Sequence, residues 1–261
     1  MIKINSFTLK ECGKCSNIIA SLPHSSYRIT KEMQNNINPQ VIFANNDWYL
    51  NELYDFLNEI NITTISNNYS RYVIDVNRKP DFKDNHDKYT NSMIYFKTTF
   101  NKLIYDKIPS NKEINDRIEK IYIPYHQCLS NKIEYLLSKN KKVYLFDLHS
   151  FFAQSDADIV LGTRYGTTCS KEFLDLVYNT LINEGFKVNV DEVGLRGGYI
   201  TYHYREIDNV EAIQIELRYT NYIENSYFDE EYKPKINYEL FNTTKQRLKR
   251  AYEIIKKELS V

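Results

Sequence analysis

Lys142-Val143-Tyr144-Leu145-Phe146-Asp147-Leu148-His149-Ser150 is the stretch that decides the fold. Val143, Tyr144, Leu145 and Phe146 form a short apolar run of β-branched, aromatic and aliphatic side chains. Such a run reads as a strand buried on both faces, here running to Asp147 and ending in Leu148-His149-Ser150. A strand covered on both sides needs helices above and below it, and its neighbours supply them. Upstream, Lys112 to Ser138 is largely helical, with a dent at Pro124, whose ring does not fit a regular helix. Downstream, Glu172 to Glu184 is amphipathic and closed by Gly185, a good C-cap.

Further out, Ile18-Ile19-Ala20-Ser21-Leu22 is a buried strand running into the loop Pro23-His24-Ser25-Ser26. Thr63-Thr64-Ile65, Tyr72 to Val76, Phe186 to Val190 and Ala212 to Leu217 are further predicted strands. Leu50, Leu53, Tyr54 and Leu57 recur at helical spacing and predict a helix over Asp47 to Ile60, with Asn46 or Asp47 as its cap. Tyr238 to Leu259 is a long helix whose basic outer face reads as a solvated surface. Residues 79 to 110 read as a long polar loop with one candidate strand at Met93–Phe96. Strands alternating with helices imply an α/β protein with a mostly parallel sheet and helices on both faces. No linker or repeat divides the chain, so residues 1–261 are expected to form one domain.

Composition excludes several classes. The chain has 261 residues, 42% of them apolar, which excludes disorder. Its 34 basic and 34 acidic side chains leave no net charge to attract nucleic acid or an anionic membrane. No apolar run approaches the roughly 20 residues needed to cross a bilayer, and Met1 to Ser6 lacks the apolar core of a secretory signal, so a soluble cytoplasmic protein is expected. Cys12-Gly-Lys-Cys15 has no second pair to complete a structural zinc site, and its preceding Phe7-Thr8-Leu9-Lys10 is a poor strand for a thioredoxin-like motif. These cysteines are expected to be reduced thiols. Of only 7 glycines, all but Gly13 fall between residues 162 and 198 (Gly162, Gly166, Gly185, Gly194, Gly197, Gly198), which suggests a backbone with special demands there.

In an α/β sheet ligands sit beyond the carboxyl ends of the strands. Those positions carry chemistry: His24 after the first strand, His149 after the strongest, and Glu216 late in Ala212-Ile213-Gln214-Ile215-Glu216-Leu217. An acid inside an apolar run is costly unless paired or functional. Arg71, Asn77 and Arg78 bracket the strand predicted at 72–76, and Asp47 and Glu52 lie at the start of the first helix. Taken singly, each has an ordinary structural explanation, and no single local motif decides the chemistry.

Eight short segments, in order, resemble the N-formylglutamate amidohydrolase family. They are Pro23-His24-Ser25, Asn46-Asp47-Trp48 followed by Leu53-Tyr54, Ser70 to Arg78, and Pro124-Tyr125-His126. Asp147-Leu148-His149-Ser150, Leu161 to Gly166, Gly197-Gly198-Tyr199-Ile200 and Gln214-Ile215-Glu216-Leu217-Arg218 complete the set. The family in turn is similar to zinc carboxypeptidases and aspartoacylases. The resemblance implies a three-layer α/β/α sandwich around a mixed, mostly parallel sheet, and a zinc-dependent hydrolase of an amide beside a carboxylate. It implies His24 and His149 as two Zn²⁺ ligands. The carboxypeptidase Glu that would follow His24 by three residues is Tyr27 here; the resemblance favours Asp47 as third ligand, because Asp47-Trp48 matches the family's acid-Trp element, with Glu52 the alternative. Asp147 would orient His149. Glu216 would be the general base and Arg71 would stabilise the oxyanion. Asn77 and Arg78 would hold the substrate carboxylate, with Gly197, Gly198 and Tyr199 as a loop over the substrate. Arg164 and Arg196 are candidates for a second carboxylate, and His126 has no assigned role. The chain departs from the family at Ser26, at Asn45 and over Asp191-Glu192-Val193-Gly194-Leu195-Arg196, on the expected substrate side. N-formylglutamate, cleaved to formate and glutamate at the end of a histidine-degradation route, is the family default. Another N-acyl amino acid, a small peptide or other carboxylate-bearing amide, and a non-catalytic carboxylate-binding protein stay open.

Overall fold

The computed structural model describes residues 5–13, 16–39, 41, 43–80, 92–224 and 233–260. Cys15, half of the cysteine pair, and residues 81–91 of the predicted loop lie outside these described residues. The strands are β1 (Phe7–Lys10), β2 (Ile18–Leu22), β3 (Thr63–Asn67), β4 (Val143–Phe151), β5 (Ile159–Gly162), β6 (Val188–Val190) and β7 (Val210–Arg218). They form one sheet in the order β1-β3-β2-β4-β7-β5-β6. Pairs β2–β3, β2–β4, β4–β7 and β5–β6 are parallel, whereas β1–β3 and β5–β7 are antiparallel. The sheet is thus mixed and mostly parallel.

Helices α1 (Lys31–Asn36), α2 (Leu50–Leu53), α3 (Phe56–Glu59), α4 (Asn111–Arg117), α5 (Ile123–Leu137), α6 (Lys171–Asn183), α7 (Tyr199–Tyr204) and α8 (Tyr238–Leu259) cover both faces. The period-two alternation of the strands divides the core accordingly. Phe146 and Leu148 of β4, with Ile213, Ile215 and Leu217 of β7, pack against α2, α3, α6 and α8. Val143 and Leu145 of β4, with Val210 and Ala212 of β7, pack against α5 and α7 on the other face. The second face changes character along its length. It is apolar at the start of β4 and β7, and then carries Asp147 and His149 beside Gln214 and Glu216 at their carboxyl ends, all buried. Four buried polar side chains on one patch require partners, and that patch is the candidate site.

Several predicted elements differ in the structure. Strand β4 runs on to Phe151, so His149 lies within it rather than after it. Strand β1 forms after all: Phe7 and Leu9 pack on the core while Thr8 and Lys10 face out, the pattern of an edge strand. The helix predicted over 47–60 is two single turns, α2 and α3, entered through Tyr49 at φ 59°. Asn46 and Asp47 do not cap it, because the Asn46 amide donates to Phe43 O and the Asp47 carboxylate is taken by His149 and Ser150. Residues Tyr72 to Val76 are no strand, although all are buried. The Asp75 Oδ1 accepts the backbone N–H of Asn77 two residues on, and such a turn bends the chain out of any ladder. Met93 to Phe96 is irregular, with only an isolated bridge between Lys97 and Leu103 beside it. Strand β5 and the short helices α1 and α7 carried no clear periodic signal.

Candidate active site

Strand register places the first group of side chains. His149 lies opposite Glu216, and Asp147 opposite Gln214, along the parallel β4–β7 pair. Ser21 of β2 lies opposite Asp147 and donates to its Oδ1 at 2.9 Å. Where β2 ends, Pro23 turns the chain and His24 follows. The His24 carbonyl accepts the backbone N–H of Asp47 at 3.2 Å, which fixes the second loop against the first.

His24, Asp47 and His149 converge so that one ligand atom from each lies within 4.8 Å of the others, all three buried. Both imidazoles are held from behind by a buried carboxylate. His24 Nε2 is 2.7 Å from Asp75 Oδ1, and His149 Nε2 is 2.9 Å from Asp147 Oδ2. Their Nδ1 atoms therefore face Asp47 Oδ2, at 3.6 Å from His24 and 2.9 Å from His149. His24 Nδ1 is buried with no hydrogen-bond partner, an orphan acceptor directed at the centre of the group. The charges agree with a cation there. Asp47, Asp75, Asp147 and Glu216 are four buried carboxyl groups, against the two guanidiniums of Arg71 and Arg78. The donor set thus fits a divalent metal, with imidazole and carboxylate ligands and an orienting acid behind each imidazole.

Titration follows the same geometry. Burial alone opposes a charged Asp47, but the hydrogen bond from His149 and the electrostatic pull of His149 and His24 outweigh it and hold the carboxyl well below its usual range. Asp75 is likewise held well below its range against burial, by His24, Arg78 and Arg71. Burial disfavours a charged His149, yet Asp147 and Asp47 raise its pKa well above the ordinary value. Glu216 is different: burial pushes its pKa up to about 8, with His149 pulling it back and Asp47 pushing it further up.

These groups open onto a cavity of about 740 Å³. Its walls carry four cations, Arg71, Arg78, Lys79 and Arg164, together with Asp47 and Glu216. Arg71 is locked by Asp75 Oδ2 at 2.9 Å and by the Asn45 carbonyl at 3.3 Å. Arg78 is 3.7 Å from the same carboxylate. Arg164 donates to Gly197 O at 3.2 Å and stacks over the Tyr202 ring. Tyr199, Gly197 and Gly198 line the cavity too.

The structure thus brings His24, Asp47, Arg71, Asn77, Arg78, His149, Arg164, Gly197, Gly198, Tyr199 and Glu216 around one space. Asn77 faces the cavity, but its side chain already spans three elements. Its Nδ2 lies 3.0 Å from Asp147 Oδ2 and 2.9 Å from His149 Nε2, and its Oδ1 accepts the N–H of Ile200 at 2.8 Å. Glu52 is exposed on the first turn of α2 and takes no part in the cluster. Arg196 lies against the Tyr165 ring and is not among the cavity walls. Within the glycine cluster, Gly162 and Gly198 serve close packing in the site, whereas Gly166, Gly185 and Gly194 adopt positive φ. A Cβ on Gly162 would meet Gly197 N at 2.6 Å, and one on Gly198 would meet the Asn77 amide at 2.3 Å. Within 191–196, Asp191 turns inward to accept the Thr163 and Tyr165 N–H groups, while Gly194 and Leu195 reach the cavity rim.

Sequence reasoning missed Asp75, the acid behind His24, because it sat inside an apparent strand. It also missed Gln214, which donates to Glu216 Oε1 and accepts the Gly198 N–H, both at 2.8 Å. A signal for Gln214 existed: two residues before Glu216 on a strand, it shares that residue's face.

A model of the N-formylglutamate amidohydrolase family matches residues 16–223. N-formylglutamate deformylase of Pseudomonas aeruginosa is 28% identical over 228 residues, covering 79% of this chain and 82% of its own. The Pseudomonas putida N-formylglutamate deformylase is 27% identical over 221 residues, covering 80% and 82%. The crystal structure of N-formylglutamate amidohydrolase from Ralstonia eutropha superimposes with a TM-score of 0.85 at 25% identity over 98% of both chains.

Proposed function

The chain belongs to the N-formylglutamate amidohydrolase family, and on that premise we propose that it hydrolyses the formyl amide of N-formylglutamate, yielding formate and glutamate. The observation that carries the reading is the buried His24–Asp47–His149 group with Glu216 beside it in register, at the floor of a cavity edged by cations. We assign zinc to that group, and the whole chain to one catalytic domain. Bound zinc supplies Lewis-acid polarisation and lowers the pKa of water toward neutrality.

The chain's own residues account for the remaining steps. Glu216 takes a proton from the attacking water and delivers it to the departing amine nitrogen. Burial makes this carboxylate more basic than an ordinary glutamate, which favours the first half of that transfer. Gln214 holds Glu216 Oε1 and so fixes the direction of the shuttle. Arg71, immobilised by Asp75 and the Asn45 carbonyl, presents fixed positive charge where the carbonyl oxygen becomes an oxyanion. Arg78 and Asn77 take one substrate carboxylate, and Arg164 takes the other. Planar guanidinium groups suit this pairing because they meet both oxygens of a carboxylate. Gly197, Gly198 and Tyr199 close over the substrate. The reaction fits a role in histidine degradation and a cytoplasmic location.

A hydrolysis screen over formyl, acetyl and succinyl amino acids, with and without added zinc, tests this reading. The expected result is zinc-dependent release of formate from N-formylglutamate, with slower turnover of the other acyl groups. Full activity in metal-stripped protein contradicts the zinc assignment. Binding of carboxylates without turnover of any substrate favours a binding protein instead.

A further inference from the structure

Residues 72–78 carry Asp75, Asn77 and Arg78, yet they belong to no strand. Three of their carbonyls are held by side chains from a single helical run. Arg117 Nη1 donates to Val73 O at 3.1 Å, His126 Nε2 donates to Val76 O at 2.9 Å, and Tyr122 OH donates to Arg78 O at 2.8 Å. The spacing of these residues is informative. Positions five apart on an α-helix point about 140° away from each other, so Arg117 and Tyr122 would not share a face. Between them the chain makes a π-turn, Ile118–Tyr122, in which the Ile123 N–H bonds Ile118 O. A turn closed between residues five apart brings a residue round to the face of the one five positions before it. From Tyr122 to His126, four apart, ordinary α spacing keeps the face.

The cause of the turn lies at Pro124. It has no N–H to donate, and in an α-helix its ring would strike the carbonyl of Lys120. A widened turn relieves that clash and shifts the register by one residue. Tyr122 thus ties Arg78, a wall of the cavity, to the helical run.

We infer that the π-turn before Pro124 is what sets the 72–78 segment, and that Tyr122 and His126 are positioning residues that hold Arg78 and Asn77 toward the substrate carboxylate. The inference rests on the reading of Arg78 and Asn77 given above. The test uses full-length, metal-loaded protein carrying Tyr122→Phe or His126→Gln, with Tyr135→Phe, exposed on the same helix, as control. Hydrogen exchange is followed for peptides covering 73–80 and 143–151, and KM and kcat are measured on N-formylglutamate. Loss of one tie is expected to speed exchange at Asn77 and Arg78 about fivefold, the equivalent of one hydrogen bond, with β4 unchanged. KM is expected to rise by a similar factor for Tyr122→Phe while kcat stays within about twofold. Unchanged exchange in both variants, or an increase spread equally over β4, overturns the inference. So does a fall in kcat with no change in KM. If the wild type does not hydrolyse N-formylglutamate, the proposed function fails, and the exchange pattern alone still decides whether the helix holds the segment.

Discussion

The two halves of the site are built by different means. His149, Asp147, Gln214 and Glu216 sit on β4 and β7, where ladder register fixes which side chain faces which. His24, Asp47, Arg71, Asp75, Asn77 and Arg78 sit on loops, where a few backbone bonds and many side-chain bonds place them. A strand-borne residue has a backbone placed independently of the side chain it carries. A loop-borne residue is placed by the same polar groups that do the chemistry. Substitutions in the loop half should therefore disturb more than one function, and those in the strand half should be cleaner.

The largest effect expected is on the strand side. Glu216→Gln keeps the shape and the bond to Gln214 but removes the proton shuttle, so kcat should fall about 10²- to 10⁴-fold while zinc content and folding stay as in wild type. Elemental analysis beside steady-state kinetics checks both halves of that statement.

A paired substitution probes the contrast directly. Asp147→Asn and Asp75→Asn each remove the acid behind one imidazole, and each should weaken zinc binding about 10- to 100-fold in a competition titration. Asp75→Asn should cost more. Asp75 also anchors Arg71, Tyr95 and the Asn77 N–H in a loop, whereas Asp147, which also accepts from Ser21 and Asn77, has its backbone held by the β4 ladder. Equal losses, with kcat untouched in both, would show that the loop half is held by something other than Asp75.

Arg164→Met should raise KM for N-formylglutamate about tenfold and leave KM for N-formylglutamine, which lacks the second carboxylate, nearly unchanged. A matching rise for both would place Arg164 away from the side-chain carboxylate.

A dependence on pH is expected at His126. Burial lowers its pKa to about 4 from an ordinary 6.5, so the folded protein holds it neutral where the unfolded chain takes up a proton. Its contribution to stability is present above pH 6.5 and is lost as pH falls toward 4. Urea midpoints for wild type should fall relative to His126→Gln over that window, and parallel curves would contradict the shift.

The same contrast explains what was legible in the sequence. The apolar run at 143–146 and the amphipathic helices at 172–184 and 238–259 announced the sheet and its cover, because their periodicity reports burial directly. Pro124 announced a defect but not its form, since the register shift becomes visible only through the carbonyls it reaches. Tyr72 to Val76 misled because an apolar run buried in a bent segment has the same composition as a strand, and Asp75 was hidden with it. The helix predicted over 47–60 failed for a related reason. Its apolar spacing is real, but Tyr49 in a left-handed conformation and the bonds from the Asp47 carboxylate to His149 and Ser150 override it. Local pattern foretold the strand half, and tertiary hydrogen bonding determined the loop half.

The central claim, that the loop-borne and strand-borne histidines meet at one zinc that supports hydrolysis, is tested most directly by titrating zinc into metal-stripped protein while recording bound metal and N-formylglutamate turnover together. Turnover should rise in proportion to bound zinc and level off at about one per chain, with neither His24→Ala nor His149→Ala retaining tight binding. Full turnover in chelated protein, or activity in either variant equal to wild type, would contradict it.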